Sequence, residues 1–464
     1  MTYTAPASAR RPRLLPALFV LAMAHFTLSV DFNVVYIALP EIGRELGLDA
    51  GGLQWVVSAF ALGYGGFLLL GGRAVDRLGA RRMLVLGAAL MAGASVVGAL
   101  VGVLTWPPTV LIGARAAQGF GAALIFPATL ALVNTAFDAG PARNRALAVW
   151  GSAGAFGALA GGALGGVLTS LLGWASVFWA LVPLALVVAI AAPRVLPTDP
   201  RSEGLAGFDL PGSALATGGA LLLVFGISRI QEDVRTGVGV IVLGAVTLGL
   251  FLLVERGGAD PLLPLGLLRV RSLWVSAVLV FVLMGVIGAL HFVYTTHVQD
   301  GLGLGPLAAG LGFLPQGVVA MLGSAFLLPR LLGRWGSRRI LFVGVLGVAV
   351  TSVVFAWAVS GDHYWMVLPA VLLLGLTAGT VYPAVFAVAG EEVDAARQGV
   401  ASATVSTAQQ LGGAVGLAAL VAVAGTGGGL TAASLTGGAA LTVVAFLALA
   451  IRVAPRAGRA TRLT

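Results

Sequence analysis

The chain has 464 residues and a net charge of +9, and 59% of its residues are hydrophobic whereas only 10% are charged. Soluble domains average about 45–50% apolar and about 25% charged residues. A soluble protein of this length is excluded, because it could not cover its surface with so few charges. The composition predicts an integral membrane protein with many helical spans.

Two residue types do not occur, and this excludes several kinds of site. The chain has no cysteine, which rules out disulfides, thiolate metal sites and catalytic thiols. All 27 basic residues are arginine, so no lysine is available for a Walker-type phosphate loop or a retinal Schiff base. The chain therefore cannot be its own ATP-driven pump. We expect no metal ion and no cofactor.

Fourteen segments are apolar and long enough to cross a bilayer, which takes about 20 residues per helix. The first resembles a signal peptide with a small-residue site at Ala22–Ala24, but its apolar run continues to about Leu39 and predicts a retained span. Only Gly173 and Trp174 separate the fifth predicted span from the sixth. We divide the segment there because 144–192 is too long for one span and suits two. The predicted spans are 14–39, 53–71, 83–104, 109–136, 144–172, 175–192, 209–230, 237–254, 272–296, 307–329, 339–359, 364–389, 399–424 and 433–452.

The distribution of arginine predicts the orientation in the membrane. With the N-terminus inside, all but four of the 27 arginines fall in inner loops and tails. The exceptions are Arg44, Arg229 and Arg235 in outer loops and Arg115 within a span. This bias predicts that both termini are cytoplasmic. It also explains the positive charge better than nucleic-acid binding does, so we expect no nucleic acid as a partner.

An internal repeat divides the chain. The string Gly72–Gly87 recurs at Pro329–Gly344, and Gly119–Ala128 recurs at Gly375–Ala384, both at an offset of 256–257 residues. Six spans with their loops need fewer residues than this offset, and the excess of roughly 55 residues fits two inserted helices. The sequence predicts an all-α membrane protein with 14 transmembrane helices, built from a six-helix half at 1–204, a two-helix central insert at 205–258 and a second six-helix half at 259–464.

Several short segments carry more specific patterns. The loop after the second span is rich in glycine and arginine and contains one carboxylate, Asp76. Glycine allows a tight turn, arginine faces the anionic inner leaflet, and Asp76 can pair with an arginine or cap a neighbouring helix. The segments are Gly72–Arg82 (GRAVDRLGARR), Asp31–Pro40 (DFNVVYIALP), Arg115–Gly119 (RAAQG), Gly157–Gly166 (GALAGGALGG) and Phe208–Gly212 (FDLPG).

These segments resemble the signature motifs of the major facilitator superfamily, and in particular of its 14-span drug:proton antiporter branch. The resemblance covers nearly the whole chain. It implies the major facilitator fold, with the proton gradient as energy source. The sequence departs from the usual motifs at Gly162, where exporters of this branch have proline, and at Asn33 and Tyr36, where threonine and asparagine are usual. Gly333 stands at the repeat position of Asp76, so only the first half keeps the carboxylate.

Two charged residues lie well inside predicted spans. Asp31 and Arg115 are each about six residues, or roughly 9 Å, from the outer end of their spans. A charge at this depth costs roughly 2.5–3.5 kcal/mol on insertion scales, which favours pairing if the two helices are adjacent, as the resemblance implies. Two interpretations stay open: a static ion pair, or a proton site in which Asp31 takes up and releases a proton while Arg115 tunes its pKa.

The remaining candidates form three sets. A central substrate cavity is predicted from polar and aromatic side chains, of which His25 and His291 are more readily explained by structural hydrogen bonds. The cavity candidates are His25, Asn33, Gln54, Trp55, Gln118, His291, Tyr294, Gln316, Tyr382 and Gln410. The predicted cytoplasmic gate comprises Gly72, Asp76, Arg77, Gly79, Arg81 and Arg82. The predicted helix-packing motif comprises Gly157, Gly161, Gly165 and Gly166, whose spacing of four places a smooth face on the fifth span.

The sequence therefore predicts a secondary active transporter and not an enzyme. It is expected to export hydrophobic and in part cationic small molecules, such as drugs or antibiotics, in exchange for protons and by alternating access. The expected partners are the substrate, protons and the lipid bilayer, and we expect a monomer in the plasma membrane of a bacterium. A facilitator or proton symporter that imports a polar nutrient is an alternative with the same fold. A channel or receptor is a second alternative, which the two-half repeat disfavours.

Overall fold

A computed structural model describes residues 14–138, 140–199, 210–230, 233–257, 270–393 and 398–450. The regular elements in these ranges are helices, most of them more than 20 residues long. Their bounds are α1 Leu14–Leu46, α2 Ala50–Leu78, α3 Ala80–Leu104, α4 Pro108–Ala136, α5 Pro141–Leu172, α6 Ala175–Val195, α7 Leu210–Arg229, α8 Val234–Gly257, α9 Arg271–Thr296, α10 Pro306–Leu322, α11 Leu328–Trp335, α12 Ser337–Ala358, α13 Tyr364–Ala389, α14 Gln398–Val423 and α15 Gly429–Ala445. We call the side of the bundle where α1 begins the Leu14 side and the side where α1 ends the Leu46 side.

Short π-helical and 3-10 segments extend or join some of these helices. The π-helical turn His297–Gly301 continues α9, and Gly323–Leu327 joins α10 to α11. Ala424–Gly428 is a third π-helical turn, between α14 and α15, and a 3-10 turn at Phe446–Ala450 follows α15. Because a helix satisfies its own backbone groups, apolar sequences of this length can lie in lipid without unpaired amides.

The helix ends show the local signals that start them. Proline occupies the first turn of α4, α5 and α10, where its missing N–H costs no hydrogen bond. The Asp49 carboxylate accepts a 2.8 Å hydrogen bond from Gly52 N at the start of α2. Asp233 precedes α8 and accepts hydrogen bonds from Thr236 Oγ1 and Arg235 N, which together lower the pKa of the Asp233 carboxyl.

Twelve of the helical segments described are long and apolar enough to cross a membrane. The number becomes thirteen when α2, which bends by 50° between Leu68 and Leu70, is counted as one span. The apolar part of α7, Ala214–Ile227, is shorter than this length. The predicted total of fourteen crossings therefore stays a prediction, whereas the all-helical membrane architecture is confirmed.

The helices contact one another in a pattern that occurs twice. In the first group, α1–α6, helix α1 packs on α5 and α6, and α4 packs on α2 and α3. In the second group, α9–α15, helix α9 packs on α14 and α15, and α13 packs on α10 and α12. The groups meet through α2 against α14 and α5 against α10. Helices α7 and α8 pack on each other, and α7 also contacts α2 and α14.

Candidate functional site

A buried ion pair lies inside the first group. Arg115 Nη1 of α4 is 2.7 Å from Asp31 Oδ1 of α1, and the two residues are 1% and 0% exposed. Arg115 Nε donates a 3.1 Å hydrogen bond to the carbonyl oxygen of Val56 in α2. The guanidinium carbon lies 4.5 Å from the centre of the Phe60 ring, at cation–π distance. The two intramembrane charges of the sequence are therefore paired.

Two further polar side chains hold the arginine. Gln118 Oε1 accepts a 2.8 Å hydrogen bond from Arg115 Nη1, and Gln118 Nε2 donates a 2.8 Å hydrogen bond to Ser95 Oγ in α3. Ser95 Oγ in turn donates to the carbonyl oxygen of Met91. Gln118, a predicted cavity residue, thus belongs to the ion-pair network. Sequence reasoning missed Ser95, because a single serine in an apolar helix has no distinguishing pattern.

The carboxylate of Asp31 is only half satisfied. Its Oδ1 atom accepts from Arg115, whereas its Oδ2 atom is buried and accepts no hydrogen bond within the part of the chain that the structure describes. A buried charge is stable only when it is paired, and a free carboxylate oxygen is the atom at which a proton binds. The arrangement can therefore bind one proton without dismantling the other hydrogen bonds of Arg115.

A small cavity lies between the two groups, close to α1. Its volume is about 10 Å³, which is the space of one water molecule, whereas pockets for drug-sized ligands measure about 300–1,000 Å³. Gln316 Nε2 donates a 2.9 Å hydrogen bond to His291 Nε2 at this cavity, and the Tyr36 ring meets His291 edge-on. The groups are thus closed against each other here. The cavity is lined by Asn33, Tyr36, Ile37, Gly162, His291 and Phe313.

Predicted cavity residues of the first group lie in several places. His25 Nδ1 donates to the carbonyl oxygen of Trp150 at 2.9 Å, and its ring stacks on the indole at 3.8 Å. Asn33 Nδ2 donates to the carbonyl oxygen of Ser29, one turn earlier in α1. The structure therefore gives His25 a structural hydrogen bond between α1 and α5.

Gln54 and Trp55 lie on α2, next to one another in sequence but with different surroundings. Gln54 is buried and donates to Ser58 Oγ at 3.2 Å. The Trp55 ring lies 6.3 Å from that of Phe225, so it packs on α7. Neither side chain is among those that line the small cavity.

The predicted cavity residues of the second group also lie in different surroundings. Tyr294 is buried, and its hydroxyl donates to the carbonyl oxygen of Ala309 at 2.8 Å. The Tyr382 hydroxyl donates to Gln409 Oε1 at 3.0 Å. Gln410 is buried, and its Cβ atom would lie 2.6 Å from a Cβ atom added to Gly65 of α2. Of the candidates in this group, His291 lines the small cavity, and Gln316 is hydrogen-bonded to it.

The predicted gate loop is tied to the end of α6 by an aspartate that sequence reasoning missed. The Asp199 carboxylate accepts 2.9 Å hydrogen bonds from Arg81 N and Arg82 N, at the N-terminus of α3. Gly79 has φ +105°, and a Cβ atom there would lie 2.5 Å from Asp199 Cβ. Glycine is therefore needed at this turn. Of the other gate residues, Asp76 is exposed, Arg77 is half-buried, and Gly72 faces open space.

The predicted packing glycines bring α5 close to two helices. A Cβ atom on Gly157, Gly161 or Gly165 would lie 2.6–2.9 Å from a carbonyl oxygen of α1, at Phe26, Val30 and Val34 respectively. A Cβ atom on Gly166 would lie 2.7 Å from the carbonyl oxygen of Pro306, at the start of α10. Helix α5 is therefore held between the first and second groups at backbone distance.

Hydrogen bonds also cross between the groups within the part of the chain that the structure describes. Gln299 Nε2, in the π-helical turn after α9, donates to the carbonyl oxygen of Ile37 in α1 at 2.8 Å. Ser58 Oγ of α2 donates to the carbonyl oxygen of Ala414 in α14 at 3.4 Å. Because α1 ends and α2 begins at the Leu46 side, both bonds lie toward that side.

Comparison with known sequences identifies relatives over most of the chain. The profile of the Major Facilitator Superfamily matches residues 21–417. A puromycin resistance protein of Streptomyces alboniger is 36% identical over 419 residues, covering 88% of this chain and 81% of the relative. A cephamycin export protein of Amycolatopsis lactamdurans is 35% identical, covering 94% and 91%. A multidrug efflux pump of Mycolicibacterium smegmatis is 31% identical, covering 89% and 82%.

Solved structures share the fold at low sequence identity. A transporter of the POT family matches with a TM-score of 0.69 and 15% identity, covering 96% of this chain and 98% of that chain. A D-xylose–proton symporter matches with a TM-score of 0.66 and 15% identity, covering 94% and 97%. At this identity the likeness supports the fold alone.

Proposed function

Because the chain belongs to the Major Facilitator Superfamily, we propose that it exports hydrophobic and in part cationic small molecules across the membrane in exchange for protons. The chain is a transporter and not an enzyme. Support for export comes from relatives at 31–36% identity that are named for puromycin resistance, cephamycin export and multidrug efflux. The substrate of this chain is accordingly expected among antibiotics and drugs.

We propose that the chain crosses the membrane fourteen times and consists of two six-helix halves and an inserted pair of helices. The first six-helix half is 1–204, the inserted pair is 205–258 and the second half is 259–464. The repeated contact pattern of α1–α6 and α9–α15 supports the two halves. Helix α7 contacts both α2 and α14, the helices through which the two groups meet. These contacts support an insert that crosses the membrane next to that contact between the halves.

The proposed orientation places the Leu14 side in the cytoplasm of a bacterium, with both termini inside. The arginine bias supports this, since most of the described arginines lie at helix ends on the Leu14 side. The protein is proposed to act as a monomer in the lipid bilayer, without a cofactor. A potential of 100 mV supplies about 2.3 kcal/mol for each proton that enters.

Asp31 is the proposed proton site, and the ion pair is the observation that carries this proposal. Its Oδ2 atom is buried and lacks a donor among the described residues, while Arg115 keeps Gln118 and Val56 as acceptors when Asp31 is neutral. Proton binding at Oδ2 would thus remove the negative charge from the link between α1 and α4 and weaken it, while the arginine stays in place. That weakening is the proposed coupling step between proton movement and rearrangement of the halves.

In the alternate conformation, which is open toward the Leu46 side, the two halves are proposed to close against each other on the Leu14 side. Asp76 is exposed in the present structure and lies near the Leu14-side end of α2. There it can approach the N-terminus of α14, whose partial positive charge a carboxylate stabilises by roughly 0.3–1 kcal/mol. Gly72, Arg77, Gly79, Arg81 and Arg82 would form the rest of this gate.

Transport by the purified chain in liposomes tests the proposal. Ethidium, a hydrophobic cation, is added to the compartment that the Leu14 side of the protein faces, and the other compartment is made acidic. We expect ethidium to accumulate in the acidic compartment, and an ionophore that collapses the gradient should abolish accumulation. Ethidium movement in the same direction as protons, or accumulation without any gradient, would contradict antiport.

A further inference from the structure

The turn between α11 and α12, on the Leu14 side, is rich in arginine and lies in a long stretch without acidic residues. Segment 301–361 contains no aspartate and no glutamate, and its charged side chains are Arg330, Arg334, Arg338 and Arg339. Arg330, Arg334 and Arg339 are exposed, and none of the three forms an ion pair with another described residue. Their charge is therefore not neutralised by an ion pair within the described part of the chain.

The corresponding turn of the first group is occupied by the protein itself. Arg81–Arg82, the repeat counterpart of Arg338–Arg339, donates two backbone N–H groups to the Asp199 carboxylate. In the second group, the Glu392 carboxylate follows α13 and accepts a 3.1 Å hydrogen bond from Ser272 N, at the start of α9. No described carboxylate takes the place of Asp199 at the arginine turn of the second group. The two repeats therefore differ in what covers their arginines.

An exposed apolar stripe leads from the middle of α10 to these arginines. Val318, Leu322 and Phe326 are 42%, 46% and 57% exposed. The same spacing of four residues continues to Arg330 and Arg334, which are also exposed. Residues four apart are neighbours on the surface of a helix, so the five side chains follow one face. We call these five residues the α10 stripe.

The α10 stripe faces away from the helices on which α10 packs. A Cβ atom on Gly317 would lie 2.3 Å from Leu159 Cδ1 of α5, and a Cβ atom on Gly323 would lie 3.4 Å from the Leu376 carbonyl oxygen of α13. The protein contacts of α10 are thus made by other faces than the stripe. In a membrane, lipid covers an apolar helix face that the protein leaves exposed.

The length of the α10 stripe matches one leaflet of a bilayer. Val318 and Arg330 are separated by about 18 Å along the helix at 1.5 Å per residue. The hydrocarbon of one leaflet is about 15 Å thick, which is half of the bilayer core. Trp335 follows Arg334 and is 43% exposed, and exposed tryptophan is typical of the headgroup level. The arginines therefore lie where the phosphates of that leaflet are found.

We propose that the α10 stripe and Arg339 form a binding site for one anionic phospholipid of the leaflet on the Leu14 side. The guanidinium groups hold the phosphate, because their planar forks suit phosphate oxygens, and an acyl chain lies on the apolar residues. Arg330 Nη1 donates to the Phe326 carbonyl oxygen at 2.8 Å, which leaves its other N–H groups for the phosphate. A net negative headgroup is preferred to a zwitterionic one, because the turn has no carboxylate of its own to attract an ammonium group.

Lipid binding to the purified full chain in detergent tests this site. Native mass spectrometry measures the affinity for phosphatidylglycerol and for phosphatidylcholine with the same acyl chains. We expect phosphatidylglycerol to bind more tightly, and Arg330→Gln/Arg334→Gln to lower its affinity about 25-fold, since one arginine near an anionic headgroup contributes about fivefold. Arg145→Gln/Arg194→Gln is the matched control, because it removes two exposed arginines of the first group on the same side. The control should keep the affinity of the unsubstituted chain.

A competing ligand and a further variant distinguish a lipid site from a site for free phosphate. Glycerol 3-phosphate carries a charged phosphate without acyl chains and should not displace phosphatidylglycerol at equal concentration. Phe326→Ser removes no charge and should lower the affinity for phosphatidylglycerol severalfold, because the acyl chain loses its apolar contact. Displacement by glycerol 3-phosphate, or an unchanged affinity in Phe326→Ser, would show that the arginines bind a free anion and would overturn the lipid site.

Three other results would also overturn the proposal: equal affinities for the two lipids, an unchanged affinity in Arg330→Gln/Arg334→Gln, or an equal loss in the control. If the double variant is not recovered as folded protein, Arg334→Gln alone replaces it, with an expected loss of about fivefold. Phosphatidylglycerol should also raise the unfolding temperature of the unsubstituted chain more than that of the variant, since it binds the folded chain. These measurements involve no transport, so they decide the lipid site even if the proposed antiport is wrong.

Discussion

The two residues of the ion pair differ in their ability to change charge. Arg115 is held by three acceptors, Asp31 Oδ1, Gln118 Oε1 and the Val56 carbonyl oxygen. Arginine stays charged at any physiological pH, and its planar fork suits several acceptors at once. Among the described residues, Asp31 has one donor, and its Oδ2 atom accepts no hydrogen bond. The carboxylate is therefore the member that can change its charge.

Replacing Asp31 with asparagine should uncouple transport from the proton gradient. Asp31→Asn keeps the size and one acceptor oxygen but cannot bind and release a proton, so the chain should fold and exchange ethidium without concentrating it. The comparison is between gradient-driven accumulation and equilibrium exchange in liposomes. Accumulation at the original level would show that Asp31 is not the coupling site.

The loss of Arg115 should be more harmful than the loss of both charges. Removing one partner of a buried ion pair costs about 3–5 kcal/mol, because the other charge stays buried without a partner. Arg115→Gln should therefore unfold at a lower temperature than the double variant Asp31→Asn/Arg115→Gln. Thermal unfolding of the purified proteins in detergent measures this order, and equal midpoints would show that the pair is not electrostatically coupled.

Helix α5 forms one of the two main contacts between the halves, through its packing on α10. One face lies against the backbone of α1 at Gly161, and the other lies against α10 at Gly162 and Gly166. Small residues on both faces let α5 approach two helices closely without interlocking side chains. The helix is accordingly suited to slide between the halves.

Adding a methyl group to this face should destabilise the protein. Gly161→Ala would place a Cβ atom 2.9 Å from the Val30 carbonyl oxygen, and overpacking of this kind costs about 1–3 kcal/mol. Gly151→Ala on the same helix meets nothing within 4 Å and is the matched control. A lower unfolding temperature and slower transport are expected for Gly161→Ala alone. Equal behaviour of the two variants would show that the close approach is not needed.

Some of these contacts could be predicted from the sequence and others could not. The pairing of Asp31 with Arg115 was predictable, since an isolated charge in lipid is too costly to leave without a partner. The small face of α5 was visible as glycines at a spacing of four. Asp199 was not predictable, because it follows the end of α6 and its contact depends on the path of the chain there. Phe60 and Ser95 were not predictable, because their contacts depend on how neighbouring helices are rotated about their axes. A phenylalanine or serine in an apolar span gives no sign of that rotation.

The whole molecule is closed toward the Leu46 side. The hydrogen bonds from Gln299 to Ile37 and from Ser58 to Ala414 cross between the groups there, while Asp76 on the Leu14 side is exposed. A conformation open to the Leu46 side must break these crossing bonds. They are therefore expected to set part of the free-energy difference between the two states.

Gln299→Ala should shift the population toward the state open at the Leu46 side. Spin labels on Asp49→Cys and Leu307→Cys report that side, and labels on Arg82→Cys and Arg334→Cys report the Leu14 side; all four positions are exposed. The first distance should lengthen in Gln299→Ala and the second should shorten. Distance distributions that match those of the labelled parent would show that the Gln299 bond does not hold the halves together.

The separation of the ion pair along the chain has a consequence for how the protein is made. Arg115 follows Asp31 by 84 residues, and Asp199 reaches back to the start of α3 from the end of α6. At a synthesis rate of about 5–20 residues per second, the ribosome delivers the arginine roughly 4–17 s after the aspartate. The charge of Asp31 can thus be neutralised within the nascent first group, before α7 has left the ribosome. Membrane insertion of this chain therefore does not have to wait for its second group.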